Sequence, residues 1–342
     1  MIAIMSTVTT PPCPPNRLRQ LRAFCQAART GNMSKAADAL RLSQPSISQL
    51  IRSLESDLGL SLFERRGPRI QLTEAGRCFF ELATPLIESV DNLPAVFRER
   101  MGQVIEGPLN IAAGESTILY LLLDLVKRFS ESYPQIDLHL HNVTGRDGLE
   151  MLRRGEVDFA VGSMIEAPRD ILYVPLFSYD PVLITPLEHP LAGRESVTLE
   201  EVSRCGLILP PRHLSTWRIV DLVFRQQGLD YEVILEAGGW EIIKRAVEKG
   251  LGVSIVTSIC LTGDERLARI PLDRYFPRRS YGLVLRGNKS LSPQAQRFLE
   301  LMEPEYAARI EQVRQAARGA PPTAAADSAR DAGLLGHDES LA

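Results

Sequence analysis

The sequence is poor in cysteine and has no long apolar run, and each scarcity excludes something. Its five cysteines, Cys13, Cys25, Cys78, Cys205 and Cys260, are scattered, odd in number and without paired spacing. That pattern argues against a disulfide framework and for a reducing compartment. The greasiest stretch, ILYLLLDLV, is interrupted by Asp124 and is too short to cross a bilayer. The opening MIAIMSTVTTPPCPPN lacks a charged n-region and an adequate apolar run, so it does not read as a secretory leader. A cytoplasmic protein with no membrane partner is expected. Catalytic signatures are missing too: there is no nucleophile elbow, no phosphate-cradling glycine loop, no HExxH and no paired metal ligands. His139 and His141 alternate along one strand but have no Cys or acidic partner at ligand spacing, so neither a metal nor a cofactor is expected. Cys205 and Cys260 suit buried inert thiols better than a redox switch, because both lie beside apolar strands.

What is present is uneven. At 342 residues, 44% hydrophobic and 24% charged, the chain has the composition of a soluble protein of two or three domains. Residues 17–71 hold ten Lys/Arg against four acidic residues, a net of +6, which leaves −9 for the remainder of a chain of net charge −3. A basic module on an acidic body points to a polyanionic partner at one end only.

Within that basic module, helical spacing of Leu21, Phe24, Cys25 and Ala28 ends at Gly31, and Ser34 is a good N-cap for a second short helix, KAADALRL. Ser43-Gln44-Pro45 restarts the chain, with Pro in a first turn where its missing N–H has no partner anyway. The third helix ends at Gly59. Its apolar stripe is Ile47, Leu50, Ile51, Leu54 and Leu58, whereas Gln44, Ser46, Ser48, Gln49 and Arg52 make the opposite face polar. LSLFERRGPRIQLT then reads as a hairpin around Gly67-Pro68 with Arg65, Arg66 and Arg69 near its tip. Two helices joined by a tight turn, followed by a basic hairpin, match a winged helix-turn-helix. In such a module Gln can bond adenine bidentately, Ser can serve several bases, and wing arginines meet phosphate or the minor groove. The rival reading of any isolated SQPSIS is an ordinary helix with a solvated face. The charge split and the arginine hairpin favour DNA.

The stretch LRAFCQAARTGNMSKAADALRLSQPSISQLIRSLESDLGLSLFERRGPRIQLTEAG resembles the DNA-binding region of LysR-type transcriptional regulators, through the pattern AA..L..SQPS.S..I..LE..LG..LF.R......LT.AG. The resemblance extends to about residue 305. It implies a winged helix-turn-helix, a dimerising linker helix and a two-lobed effector domain like a periplasmic solute-binding protein. It places Gln44, Pro45, Ser48 and Gln49 at base-reading positions, with Ser34 and the wing arginines on the backbone. It further implies a homodimer through the linker helix, assembled into a homotetramer at a promoter, that acts as a transcriptional activator alongside RNA polymerase. SYPQIDLHLHN and KGLGVSIVTSIC resemble the branch that activates sulfur assimilation and the cysteine regulon.

The expected architecture is therefore α/β with an all-α/winged-helix N-terminal domain. A disordered tail (1–16) precedes the DNA-binding domain (17–72) and the linker helix (73–101). Effector lobe I (107–180 with 281–317) and lobe II (181–280) follow, then a second disordered tail (318–342). Leu82, Leu86, Val90, Leu93 and Phe97 form the linker's stripe, with kinks or a break expected at Pro85 and Pro94. From Leu109, strand-like runs alternate with helical ones, which implies an α/β sheet with crossover helices.

A ligand of such a body belongs at strand ends and helix N-termini. The candidates are Ser116, Thr117, Ser163, His213, Thr216, Gly238 and Gly239, and a small anionic metabolite is the expected effector. Each of these, taken singly, also reads as a plain cap; their shared location at strand–helix junctions favours a joint role. A bare solute-binding module and an uncharacterised enzyme on the same body are the alternatives. The basic N-terminal module counts against the first and the missing catalytic signatures against the second.

Overall fold

In the computed structural model, residues 16–66, 69–102, 104–287 and 289–319 are described. They fall into two compact units, one reaching residue 160 and including 288–298, the other covering 161–287 and the residues from 299 onward.

The first unit begins with α1 (Arg17–Thr30), α2 (Met33–Leu40) and α3 (Gln44–Leu58), followed by the antiparallel hairpin β1 (Phe63–Arg66) and β2 (Arg69–Leu72). Gly31 and Gly59 stop α1 and α3 in the left-handed conformation, at φ 61° and 67°. The three helices enclose a core of Phe24, Ala27, Ala36, Ala37, Ile47, Ile51, Leu54 and Leu62. Phe24 is fully buried, with Phe63 and Phe79 each at a ring-centroid distance of 5.3 Å. Ile47, Ile51 and Leu54 are at most 2% exposed. Each contributes roughly 1.5–3 kcal/mol relative to an exposed position. Leu58 departs from the expected inward stripe: it is the last residue of the helix and is 38% exposed.

The linker is one helix, α4 (Glu74–Arg100), and Pro85 and Pro94 lie inside it without ending it. A proline within a helix costs about 3 kcal/mol, and here tertiary bonds hold the helix between the two prolines and beyond Pro94. Arg29 pairs with Glu88 at 3.1 Å, Arg22 with Asp91 at 2.5 Å, and Arg297 with Glu99 at 2.7 Å. One face of α4 buries Ala83, Thr84 and Ile87, while Leu82, Leu86, Leu93 and Phe97 are each at least 60% exposed.

After the linker come β3 (Gly107–Ala113), one helical turn α5 (Glu115–Thr117), a π turn (Ile118–Leu122), α6 (Leu123–Ser132), β4 (Ile136–Asn142) and α7 (Gly145–Arg154). Strands β3 and β4 pair in parallel, as a crossover helix requires. Phe129 and Phe159 pack on Phe298.

The chain passes through β5 (Phe159–Gly162) into the second unit. There follow β6 (Ile171–Tyr179), β7 (Pro181–Pro186), α8 (Leu199–Ser203), β8 (Leu207–Leu209), α9 (Ser215–Gln226), β9 (Val233–Glu236), α10 (Trp240–Glu248), β10 (Ser254–Thr257), β11 (Leu267–Pro271) and β12 (Arg279–Arg286). Helices α11 (Pro293–Met302) and α12 (Tyr306–Gly319) close the described chain. Strand β7 lies between β10 and β11, antiparallel to both; β8 pairs with β9 in parallel, and β6 with β12 in antiparallel. A core of Leu207, Leu209, Trp217, Val220, Phe224, Val253 and Ile270 holds these layers together.

One glycine is forced by close approach. A Cβ on Gly76 would lie 2.0 Å from the Leu62 carbonyl oxygen, where α4 starts against the end of the head. Gly76→Ala is therefore expected to destabilise the head by about 2 kcal/mol, read as a lower urea midpoint; an unchanged midpoint would show that this junction is slack.

Candidate functional site

Helix α3 presents two unlike faces. Ser43 caps it, its Oγ accepting the Ser46 N–H at 3.3 Å and lying 2.7 Å from Ser46 Oγ. Gln44 Nε2 donates to Ser48 Oγ at 2.9 Å, and Arg52 Nε to the Ser48 carbonyl at 3.3 Å. Gln44, Ser48 and Arg52 thus form one ridge with a spacing of four residues. Gln44, Pro45, Gln49 and Arg52 are exposed, and Ser46 and Ser48 half-buried. Buried Gln20 of α1 donates to Ser53 Oγ at 2.9 Å, tying the helix to its support. The ridge makes only short-range bonds, and these can be exchanged for the edges of bases.

Asn32, rather than Ser34, caps α2. Its Oδ1 accepts from the N–H groups of Ser34 at 2.8 Å and Lys35 at 3.1 Å. Asn is at least as good a cap as Ser, and with the cap at Asn32 the helix starts two residues earlier, at Met33. Ser34 is left in the first turn with its side chain exposed. Arg65 and Arg66 lie on β1 and Arg69 on β2, with Arg66 opposite Arg69. The expected turn at Gly67-Pro68 lies outside the described residues, as do residues 1–15 of the tail expected at 1–16 and residues 320–342 of the one expected at 318–342; residues 318 and 319 instead end α12.

The expected effector residues divide between the units. In the first, Ser116 is half-buried and Thr117 only 4% exposed, both on the single turn α5. In the second, Ser163 follows β5, Thr216 lies in the first turn of α9, and Gly239, at φ 83°, is the N-cap of α10. His213 and Gly238 are exposed beside those helix starts. The structure brings Ser163 and Thr216 together through a residue that sequence reading passed over. Arg279 Nε donates to Ser163 Oγ at 3.0 Å, its Nη1 to Thr216 Oγ1 at 2.7 Å, and its Nη2 to Ser215 Oγ. The only sequence signal was an arginine at the head of a strand, RSYGLVLR. The Tyr281 ring lies 6.0 Å from the guanidinium, and burial raises its phenol above the usual range.

Helix α10, which starts at Gly239, is braced by a buried ion-pair group. Lys244 is 3% exposed and its Nζ meets Glu241 at 2.8 Å, Glu265 at 2.9 Å and the Cys260 carbonyl at 2.7 Å. Burial alone would raise the Glu265 carboxyl. The N–H groups of Thr262 and Gly263 and the Lys244 ammonium outweigh it and hold the group well below the usual carboxylate range. Burial pushes the Cys260 thiol up to about 12, and burial raises Cys205 as well, so both are poor nucleophiles at neutral pH. Trp217 and Trp240 are each 8% exposed, as packing residues would be. His139 bonds Asp137 and His141 bonds Asn110. Among the described residues no group of three His, Cys, Asp or Glu is arranged to hold a metal, and no helix is long and apolar enough to cross a membrane.

A winged helix-turn-helix joined by a long helix to an α/β sensing body defines a DNA-binding regulator that answers to a small molecule. Comparison with known proteins agrees. Residues 18–77 match the family of bacterial regulatory helix-turn-helix proteins of the lysR type, and residues 102–307 match the LysR substrate binding domain. The chain is similar to the RuBisCO operon transcriptional regulator of Allochromatium vinosum, 34% identical over 296 residues that cover 85% of this chain and 96% of that one. It is also similar to the transcriptional regulator CysB of Haemophilus influenzae, 30% identical with 84% and 90% covered. A full-length OxyR variant from Pseudomonas aeruginosa shares the fold, at 23% identity and a TM-score of 0.63, with 86% of this chain and 94% of that one covered. The chain belongs to the LysR family of transcriptional regulators. It carries that family's effector-binding domain, and its relatives are regulators rather than enzymes.

The Lys244 group yields an expectation about stability. Because the folded pKa of Glu265 is depressed, its contribution is present above the unfolded carboxylate value and is lost as pH falls through the folded one. Glu265→Gln is expected to cost about 3 kcal/mol at pH 7, with the gap to wild type narrowing below about pH 4. Chemical denaturation across that range checks it, and a gap that does not depend on pH would contradict it.

Proposed function

We propose that this regulator reads its operator with the exposed ridge of α3. Gln44, Ser46, Ser48, Gln49 and Arg52 face base edges in the major groove, and Pro45 sets the approach of the first turn. Ser34 and the wing arginines Arg65, Arg66 and Arg69 meet the phosphate backbone. One observation carries this reading: Ile47, Ile51 and Leu54 are buried while Gln44, Gln49 and Arg52 stay exposed, so the helix can rotate neither pattern away. The functional bodies proposed are the domain boundaries set out from the sequence, with the linker as a separate element.

Two copies join through the exposed Leu82, Leu86, Val90, Leu93 and Phe97 stripe of α4, and two such dimers make a tetramer spanning a promoter. The effector is a small anionic metabolite held by Ser116, Thr117, Ser163, His213, Thr216, Gly238 and Gly239 in the effector-binding domain. Its occupancy changes the packing of the assembly, and with it the contact to RNA polymerase, so that the protein activates transcription from the cytoplasm. The resemblance to the RuBisCO operon and CysB regulators supports a metabolic effector without choosing between them.

Two experiments test the reading. Binding to duplexes from the protein's own upstream region, followed by fluorescence anisotropy, should weaken about tenfold or more on Gln44→Ala or Gln49→Ala. Binding to a scrambled duplex should not change. Equal loss on both duplexes would take the base-reading role from α3. Leu86→Glu should give monomers by sedimentation and abolish specific binding, and an unchanged oligomer would reassign the interface.

A further inference from the structure

Arg279 is a cation in an unusual setting. It is half-buried, and among the described residues no carboxylate forms an ion pair with it. Its guanidinium instead donates to three hydroxyls, those of Ser163, Ser215 and Thr216. A guanidinium has five N–H donors and no acceptor, so three are spent on these hydroxyls and two remain. Each hydroxyl accepts from arginine with a lone pair, which leaves its own O–H free to donate elsewhere. The cluster therefore offers up to three O–H and two N–H donors around one full positive charge. No neutral ligand can satisfy that charge, whereas an oxyanion with forked acceptor oxygens matches both its sign and its planar geometry. Ser215 and Thr216 also open α9, a helix of twelve residues whose N-cap, Leu214, has no side-chain bond to the first turn.

We infer that Arg279 is the charge-bearing anchor of the effector seat and determines specificity for a ligand with a compact anionic group, either a carboxylate or a tetrahedral oxyanion. This rests on the effector reading proposed above and adds to it the residue that sets the ligand's charge. Ser163, Ser215 and Thr216 act as a preorganised second set of donors, held in place by the arginine until the anion arrives.

The test uses the full chain and three probes, sodium sulfate, sodium phosphate and sodium succinate, at ionic strength held constant with sodium chloride. Melting temperature and tryptophan fluorescence are followed together, since buried Trp217 adjoins Thr216. At least one probe is expected to raise the melting temperature of the wild type saturably. Arg279→Gln should move half-saturation at least about tenfold upward, while Arg279→Lys, which keeps the charge but not the fork, should fall between. Sulfate and phosphate responding without succinate assigns a tetrahedral oxyanion, and the reverse assigns a carboxylate. If Arg279→Gln responds like wild type, the anchor is overturned although the effector reading stands. If no anion outperforms chloride on wild type, the anchor is overturned as well, and neutral metabolites screened in the same assay then decide the effector reading separately. Should Arg279→Gln fail to fold, Arg279→Lys with wild-type half-saturation for all three probes overturns the fork on its own.

Discussion

The rotation of one helix about its axis decides what the head of this protein can touch. In α3, Ile47, Ile51 and Leu54 fall at the spacing that places side chains on one face, and all three are sealed against α1 and α2. Turning α3 far enough to hide Gln44 or Gln49 would bring those three apolar residues into water, at roughly 1.5–3 kcal/mol each. The polar ridge is held outward by the core behind it. That is why a row of residues with only weak helix preference can persist in the first turns of a helix.

The linker applies the same logic to assembly. One face of α4 is occupied by its own head, through Ala83 and Ile87, and by ion pairs from Arg29 and Arg22. The other face leaves large apolar side chains in solvent over several turns. A free stripe of that size is the surface that the proposed pairing of two copies would cover. Pro85 and Pro94 sit in the middle of this helix, where intrinsic preference alone would break it. The helix continues because its two faces are held elsewhere, as tertiary context commonly overrides propensity.

Much of this was legible beforehand because it is local. The turns at Gly31 and Gly59, the Pro of SQPSIS, the amphipathic face of α3 and the alternation of strand and helix after Leu109 are all set by neighbours within a few residues. What escaped was set by chain direction, by where a helix ends or by distant partners. The α2 cap went to Asn32 because the chain's direction at that turn, not residue type, chose between two good caps. Strands β6 and β11 carry weak local signals, since ILYVPLFSY holds a proline and LARIP is short, and both are specified by antiparallel partners far along the chain. Leu58 has the right spacing but is the last residue of its helix. Arg279 could not be connected to Ser163 and Thr216 by any spacing rule, because it lies 116 and 63 residues from them. The pattern showed where hydroxyls gather; only the fold shows which cation gathers them.

The account stands most directly on whether the α3 ridge is covered by DNA. A cysteine placed on it by Gln49→Cys, with duplex supplied well above the weakened dissociation constant expected for that variant, can be alkylated and quantified by mass spectrometry of its peptide, with exposed Cys78 as an internal reference. The account predicts fast labelling in the free protein and strong protection by the operator duplex, with much weaker protection by a scrambled duplex at the same salt concentration. Labelling at the same rate in the free and operator-bound protein would contradict it.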